Sequence, residues 1–577
     1  MIGLFLIPAR GGSKGLPGKN LAQVGGIPLV GRTARAATRA ATVLSGDWRI
    51  VCSTDDDEIA RVARLWGAEV PFVRPARLST DAARSVDVVY QALDALGGSF
   101  DTVVLLQPTS PFAAAEDIVD AVRLHWATRE CVVSVCRAEH PVEWLVRLTP
   151  SGLVDPDVAS RSERRQDANE SWRINGAIYV ATPTSLRKQD GFIGHGTRGF
   201  EMPADRSIDV DSIHDLHVAQ AVASFREVPA FDLGGRLVGP GHPCFVIAEA
   251  GVNHNGDLET ARRLVDAAAD AGADAVKFQT WITEKICRRG APKAEYQRRG
   301  GLGETDQFAM LKRLELPFDW HPELKARAES RGLVFLSTPD DIESAEFLCT
   351  LGVGVLKVGS AELTNLPYLT RLARLGKPLI ISTGMGSLEG VARAVDAAHS
   401  GAAPAVALLH CVSAYPAPEA EMNLRAITTL QTAFDVPIGL SDHTAGHTSA
   451  VMGVALGICI LEKHLTMDRT MPGPDHAASA DPTEFAEMVR TVRRAEAMLG
   501  TGVKTIMASE RDTARSVERT LVYALSLASG HRVSEEDFEA LRCGERGLPP
   551  EAAAQIRGKA LVRAVERGKV VDVADFQ

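Results

Sequence analysis

A chain of 577 residues is too long for one core, and a span of about 150 residues per domain predicts three or four units. Its 45% hydrophobic and 24% charged residues read as a soluble globular protein, and a formal net charge of −10 excludes a nucleic-acid or anionic-membrane surface. Nine cysteines without a C-x-x-C pair, an amino-terminal apolar run too short for a signal peptide, and no run of about 18 apolar residues point to a reducing cytoplasm without a membrane span.

Residues 1–227 alternate apolar strands with helical stretches, most clearly GLFLIP, RIVCSTD, TVVLLQP and CVVSVC, which predicts an open α/β sheet. Directly after the first strand, ARGGSKGLPGKN (9–20) forms a glycine loop carrying Arg10, Lys14 and Lys19. Small residues let backbone N–H groups approach a polyphosphate while the cations neutralise it, although a plain surface turn has the same composition. It is not a Walker loop, because Ser13 and Asn20 stand where that motif needs Gly and Ser or Thr. Asp209 and Asp211, two apart, put both carboxylates on one side of an extended segment; such hard oxygen ligands suit Mg²⁺, while the pair alone is more often a solvated turn.

Residues 228–243 gather Gly and Pro without helical periodicity and mark a linker. Residues 244–503 then repeat one pattern eight times, a short apolar strand followed by a helical stretch. The strands start at Cys244, Ala275, Leu333, Val355, Pro378, Val406, Pro437 and Cys459, and their exits hold Glu249, Lys277, Thr338, Ser360, Ser382, His410, His443 and His464. In a (β/α)₈ barrel these exits converge on one mouth. Lys277 and Lys357 with the hydroxyls of Thr338, Ser360, Ser382 and Ser441 are suited to an anion. His443 and His464 leave adjacent strands and could share one metal ion with open positions, as a catalytic site requires. Glu249 and Glu362 are candidates for proton transfer. His410, His447 and His476 read as structural or rim residues. Residues 510–577 form a small Gly- and charge-rich unit, short for independent stability.

The first domain resembles the CMP-sugar synthetases that activate sialic-type sugars, a Rossmann-like nucleotidyltransferase fold, through the glycine loop, STDDDEIA from Ser53, RPARLSTD from Arg74, LLQPTSP from Leu105, RRQD from Arg164, RINGAIY from Arg173 and SIDVD from Ser207. The resemblance implies that Arg10, Lys14 and Lys19 hold the CTP phosphates and that Asn20, Arg74 and Ser85 meet the cytosine and ribose. It further puts Gln107, Arg165, Gln166, Arg173 and Asn175 beside the nine-carbon sugar and Mg²⁺ on Asp209 and Asp211. One departure is Ala113, where the family usually has Arg.

The barrel resembles the sialic acid synthase family through AEAGVNHNGD from Ala248, KFQT from Lys277, STPDD from Ser337, KVGSAE from Lys357, SAYPAP from Ser413, GLSDHT from Gly439, EKHLT from Glu462 and PGPDH from Pro472. This implies condensation of phosphoenolpyruvate with an N-acyl hexose, Mn²⁺ or Mg²⁺ on His443 and His464, and Gln279, Tyr415 and Asp475 facing the sugar. Ser413, where some members carry Asn, joins the phosphoenolpyruvate contacts. The last unit, with LRCGERGLP from Leu541, resembles the antifreeze-like SAF domain of that family, which covers the neighbouring subunit's barrel; Arg519 matches its acyl-contacting Arg, implying a domain-swapped homodimer. The reading is a bifunctional enzyme of nonulosonate synthesis and CTP-dependent activation, acting on small molecules. Its rivals are a barrel making a seven- or eight-carbon keto acid, and one domain kept only as a regulatory or assembly module.

Overall fold

Consecutive apolar residues such as GLFLIP mark a strand buried on both faces, and in the computed structural model they form β1 (Ile2–Pro8) within a six-stranded sheet. The structure describes residues 1–13, 15–154, 164, 169–225, 227–299 and 303–577, without the side chains of Glu143 and Arg299. With β2 (Asp47–Ser53), β3 (Thr102–Leu106), β4 (Val132–Arg137), β5 (Trp172–Ala181) and β6 (Arg198–Glu201), the strand order is β2-β1-β3-β5-β4-β6. The first three strands are parallel, whereas β5 runs antiparallel to both neighbours. The RINGAIY motif is therefore a reversed strand inside the sheet, and it carries Arg173 and Asn175 next to the strand ends that border the glycine loop.

The eight predicted barrel strands are β7 (Phe245–Gly251), β8 (Ala275–Thr280), β9 (Val334–Pro339), β10 (Leu356–Val358), β11 (Leu379–Ser382), β12 (Val406–Cys411), β13 (Ile438–Asp442) and β14 (Ile460–His464). All pair in parallel in the order β9-β8-β7-β14-β13-β12-β11-β10, and β9 and β10, the two ends of this ladder, lie side by side. Residues of the entering ends, including Ile247, Leu336, Ile380, Leu409 and Ile460, fill the lower interior. Phe231, Leu233 and Val238 belong to the same cluster. They come from the expected linker, which folds as a hairpin pairing Phe231–Asp232 with Leu237–Val238 across Gly234 and Gly235. Both glycines have positive φ, 66° and 88°, the left-handed geometry a two-residue hairpin turn requires. The segment thus plugs the barrel floor as well as joining two domains.

The sheet domain and the barrel meet in one compact unit, Met1–Met498. Helix α1 (Leu29–Val43) follows the glycine loop, α2 (Glu295–Arg299) lies beyond β8, and α3 (Leu388–Ser400) and α4 (Arg425–Ala433) belong to the outer ring of the barrel. Arg35 of α1 donates from Nε and Nη2 to the Asp396 carboxylate of α3 at 2.9–3.2 Å and covers the Phe434 ring at 5.2 Å. Gly25 approaches α4 so closely that a Cβ would stand 2.3 Å from the Thr432 carbonyl oxygen. Phe112 and Ala113 line a cavity of about 790 Å³ at this seam.

The second compact unit, Leu499–Gln577, contains a two-stranded antiparallel sheet, β15 (Thr520–Tyr523) with β16 (Phe538–Leu541), and its own core of Leu521, Tyr523, Val533, Ile556 and Val571. Arg563 and Lys569 hold the buried Asp575 carboxylate. Among the described residues no helix is long and apolar enough to cross a membrane.

Because the fork of Arg35 is spent on one carboxylate at a half-buried seam, Asp396→Ala strands a cation there. It should cost on the order of 1–3 kcal/mol. The expected result is a lower midpoint of thermal unfolding, and an unchanged midpoint would show that the seam is held by its apolar contacts alone.

Candidate active site

The barrel strands deliver their polar ends to one mouth, where four charged side chains are almost out of water: Lys277, Lys357, Glu249 and Glu462 are each at most 6% exposed. Lys277 on β8 is ion-paired with Glu249 on β7 and stands 3.7 Å from Glu462 on β14, while Lys357 on β10 stands 3.6 Å from the other oxygen of Glu462. Lys277 donates to Thr338 Oγ1 at 3.0 Å, Lys357 to Ser382 Oγ at 2.7 Å, and the Ser441 hydroxyl to Glu462 Oε1 at 3.0 Å. Gln279 donates to Glu249 Oε1 at 2.9 Å. Charges buried so deeply persist only when paired. Burial works to raise the Glu462 carboxyl, but the two lysines hold it down at about 2. Burial raises Glu249, helped by the charge of Glu462 and opposed by Lys277.

His443 and His464 stand beside this cluster with ring centroids 5.4 Å apart. His443 Nδ1 donates to the Val412 carbonyl at 2.9 Å, since a carbonyl only accepts; burial works to lower this imidazole, but Cys411 and the carbonyl outweigh it and raise it, so Nε2 offers a lone pair only in the neutral form. His464 Nδ1 is buried without a hydrogen-bond partner, 3.8 Å from Asp475 Oδ2. Burial, then the charges of His443 and Lys277, push His464 well below the usual histidine range, so it is a neutral imidazole, the form that binds metals. This donor set fits one divalent ion. Among the described residues no group of three or more His, Cys, Asp or Glu is arranged to hold an ion. Tyr415 packs on His443 with ring centroids 4.3 Å apart and planes tilted by 35°, and lies edge-to-face with His464 at 5.9 Å.

Glu362 sits apart from the buried four, accepting from Asn365 Nδ2 at 2.7 Å. Ser360 accepts the Gly384 N–H at 3.1 Å, and Ser413 lies 3.9 Å from the Cys411 sulfur. His410 bonds to the Met422 carbonyl and His476 to Thr466 Oγ1. Arg519, just before β15 in the second unit, is exposed.

In the sheet domain, the Asp55 carboxylate accepts the Gly11 N–H at 3.0 Å and pins the glycine loop. Arg10 pairs with Asp81, and Lys19 with Asp211 at 2.8 Å. Asn20 donates to the Arg10 carbonyl at 2.9 Å and so shapes the loop, while buried Arg74 donates to Ser53 at the end of β2. Ser85 opens an exposed helix end and Gln107 follows β3, its N–H bonded to the Ala177 carbonyl. Arg173 and Asn175 reach the carbonyl and hydroxyl of Ser207 at 3.0 and 2.9 Å. Asp209 Oδ1 is buried without a hydrogen-bond partner, and burial, with Asp211 adding, raises its carboxyl. An orphan carboxylate oxygen beside a second carboxylate fits a hard divalent cation. Lys14, Arg165 and Gln166 lie outside the described residues.

Sequence reasoning missed Glu462, although it precedes His464 by two positions on one strand and so shares its face. It also missed Asp340, two residues after Thr338, whose carboxyl is pushed up to about 7 by burial and by neighbouring Glu362.

A barrel with paired lysines and two imidazoles at its mouth, joined to a sheet domain with a basic glycine loop, combines two enzyme domains in one chain. The family description "NeuB family" matches residues 264–504 and "Cytidylyltransferase" matches residues 4–140. N,N'-diacetyllegionaminic acid synthase of Legionella pneumophila is 43% identical over 56% of this chain and 92% of its own length, and the Campylobacter jejuni protein of that name is 41% identical over 52% and 90%. Among solved structures, the N-acetylneuraminic acid synthetase of Leptospira borgpetersenii in complex with citrate is 35% identical over 51% of this chain and 99% of its own, with a TM-score of 0.44. The chain belongs to the NeuB family and carries a cytidylyltransferase domain ahead of its barrel.

Asp340 gives a pH test. Its folded pKa, about 7, lies above the ordinary value of about 3.9, so the folded state binds the extra proton; the associated stability is full below the ordinary value and is lost as pH rises through 7. Asp340→Asn removes that loss. The difference in melting temperature between Asp340→Asn and the parent should move in favour of the variant from pH 5 to pH 8, and a constant difference would contradict the raised carboxyl.

Proposed function

We propose that the chain is a bifunctional enzyme that condenses phosphoenolpyruvate with an N-acyl hexose of the N-acetylmannosamine kind and then couples the nonulosonate to CMP. The observation that carries the reading is the pair of buried lysines sharing Glu462 beside two imidazoles. Phosphoenolpyruvate brings a phosphate and a carboxylate, and Lys277 and Lys357, with Thr338, Ser360, Ser382, Ser413 and Ser441, offer cations and hydroxyl donors to both. The C2–C3 π electrons of phosphoenolpyruvate attack the aldehyde carbon of the open-chain sugar, whose oxygen takes a proton. Water adds at C2, and the C2–O bond breaks to release phosphate. Glu249, with its raised carboxyl, is placed to hold and pass a proton, and Glu362 to orient water. His443 and His464 would hold Mn²⁺ or Mg²⁺, which when bound supplies a Lewis acid for the aldehyde oxygen. Gln279, Tyr415 and Asp475 face the hexose.

In the sheet domain the anomeric hydroxyl of the product attacks the α-phosphorus of CTP, and pyrophosphate leaves. Arg10, Lys14 and Lys19 neutralise the triphosphate; Asn20, Arg74 and Ser85 shape the nucleoside side; Gln107, Arg165, Gln166, Arg173 and Asn175 form the sugar side. Asp209 and Asp211 would hold Mg²⁺. The second unit acts as an antifreeze-like SAF domain over a neighbouring subunit's barrel in a homodimer, with Arg519 on the acyl group, and the enzyme works in the cytoplasm. The support for these parts is the family membership and the motif matches.

Given N-acyl hexose, phosphoenolpyruvate, CTP and a divalent metal, the enzyme should release phosphate and pyrophosphate and form a CMP-linked nonulosonate visible by mass spectrometry. Asp209→Ala should abolish pyrophosphate release while leaving phosphate release within about twofold, since the two sites are separate. Absence of both leaving groups across N-acyl hexoses would overturn the reading, and loss of only one in the parent would reduce one domain to a binding module.

A further inference from the structure

Between the exit of β8 and the helix at Gln307–Leu314 the chain makes a long excursion, and α2 lies within it. The described residues of the excursion are held at several points. The Gln307 N–H donates to the Ala291 carbonyl at 2.9 Å and the Gly290 N–H to Asp306 Oδ2 at 2.8 Å. Lys293 pairs with Glu304 at 3.0 Å, both side chains 7% exposed, and Arg313 meets the same carboxylate at 3.2 Å. Gln297, itself buried, accepts the Ala294 N–H at 2.9 Å and places its Nε2 3.4 Å from the Tyr296 hydroxyl.

This scaffold presents Tyr296 to the mouth. Its ring lies 4.9 Å from that of Tyr415 with 32° between planes, and Tyr415 in turn lies 4.3 Å from His443. Three rings thus run in a column from the excursion to the imidazole pair. The lysine side of the mouth is hydroxyl-rich, with Thr338 and Ser382 bonded to the two cations. The tyrosine side offers two amphipathic faces with a polar edge, and Asp475 acts electrostatically on both hydroxyls. Broad aromatic faces with a few polar tips suit the C–H face of a sugar, whereas a small trianion is served by cations and hydroxyls.

We propose that Tyr296 is a positioning residue for the acceptor sugar: with Tyr415 it forms an aromatic wall that holds the N-acyl hexose with its aldehyde toward His443 and His464. This rests on the proposed condensation. It assigns a role to the excursion that leaves the end of β8. Gln297 and the Lys293–Glu304 pair fix the wall in place without touching the substrate.

The test is the steady-state rate of phosphate release by the full chain with Mn²⁺, varying N-acetylmannosamine and phosphoenolpyruvate in turn. Tyr296→Ala should raise KM for the hexose about tenfold or more with KM for phosphoenolpyruvate within about twofold, and Tyr296→Phe, which keeps the ring, should stay within about threefold of the parent. Melting temperatures establish that both variants are folded. A hexose KM unchanged in Tyr296→Ala, or a rise in both KM values together, would overturn the proposal. Should the parent release no phosphate with any N-acyl hexose, the condensation itself fails, and saturation-transfer NMR of N-acetylmannosamine decides the inference separately. Transfer seen with the parent and Tyr296→Phe but lost in Tyr296→Ala supports it; equal transfer in all three, or none with the parent, overturns it.

Discussion

Two lysines and two glutamates share a volume from which water is nearly excluded, and the barrel mouth is organised around keeping them neutral as a set. Removing a lone ammonium or carboxylate from water costs several kcal/mol even after relaxation, on the order of what a whole domain has to spare. Glu462 solves this by standing between Lys277 and Lys357, and Glu249 completes the balance. Thr338, Ser382, Ser441 and Gln279 then hydrogen-bond to the four charges, while Oε2 of Glu249 and of Glu462 is left with the lysine charge alone. In the proposed reading, a ligand with phosphate and carboxylate groups would compete for these lysines, whose partners are otherwise fixed in place. The imidazoles sit at the edge of this volume, where burial, then the charges of His443 and Lys277, keep His464 neutral.

The rest of the unit supports that volume. The hairpin at Phe231–Val238 seals the barrel floor with apolar side chains, so the polar groups are confined to the opposite end. On the flank, the Arg35–Asp396 fork and the close approach of Gly25 to α4 tie the sheet domain to the outer helices of the barrel. The joint between the two matched families is therefore a packed contact with defined residues. Ala113, which departs from the pattern of the cytidylyltransferases it resembles, lies along it.

Much of this was legible in sequence because parallel barrel strands are short, apolar and punctuated by polar exits. Thr338, Ser382, His443 and His464 stand at or within one residue of the end of their strand, Lys277 lies three residues before the end of β8, and the strands begin within a residue of expectation. Glu462 was available to the same logic through its two-residue offset from His464. Other features depend on packing that no local pattern reports. The hairpin at residues 228–243 looked like a linker because its few apolar residues are spaced by turn formers, yet those residues are what the barrel floor buries. RINGAIY read as a motif, and only the pairing of β5 with β3 and β4 shows it as a reversed strand. In the sheet domain, Asn20 also bonds within the glycine loop and Arg74 to the end of β2, links that no local pattern reports. Tyr296 lay beyond reach, since a five-residue helix in an excursion carries no signal of where it lands.

The central assignment is that the buried lysines form an anion site, and direct binding examines it without dependence on turnover. Titration calorimetry of phosphoenolpyruvate onto the parent and onto Lys357→Met isolates one cation, since Glu462 keeps Lys277 as a partner in the variant. A fall in affinity of roughly 100-fold, the size expected for losing a charge-assisted contact in a dry site, is the predicted result. An affinity within about twofold of the parent, in a variant shown to be folded, would contradict it.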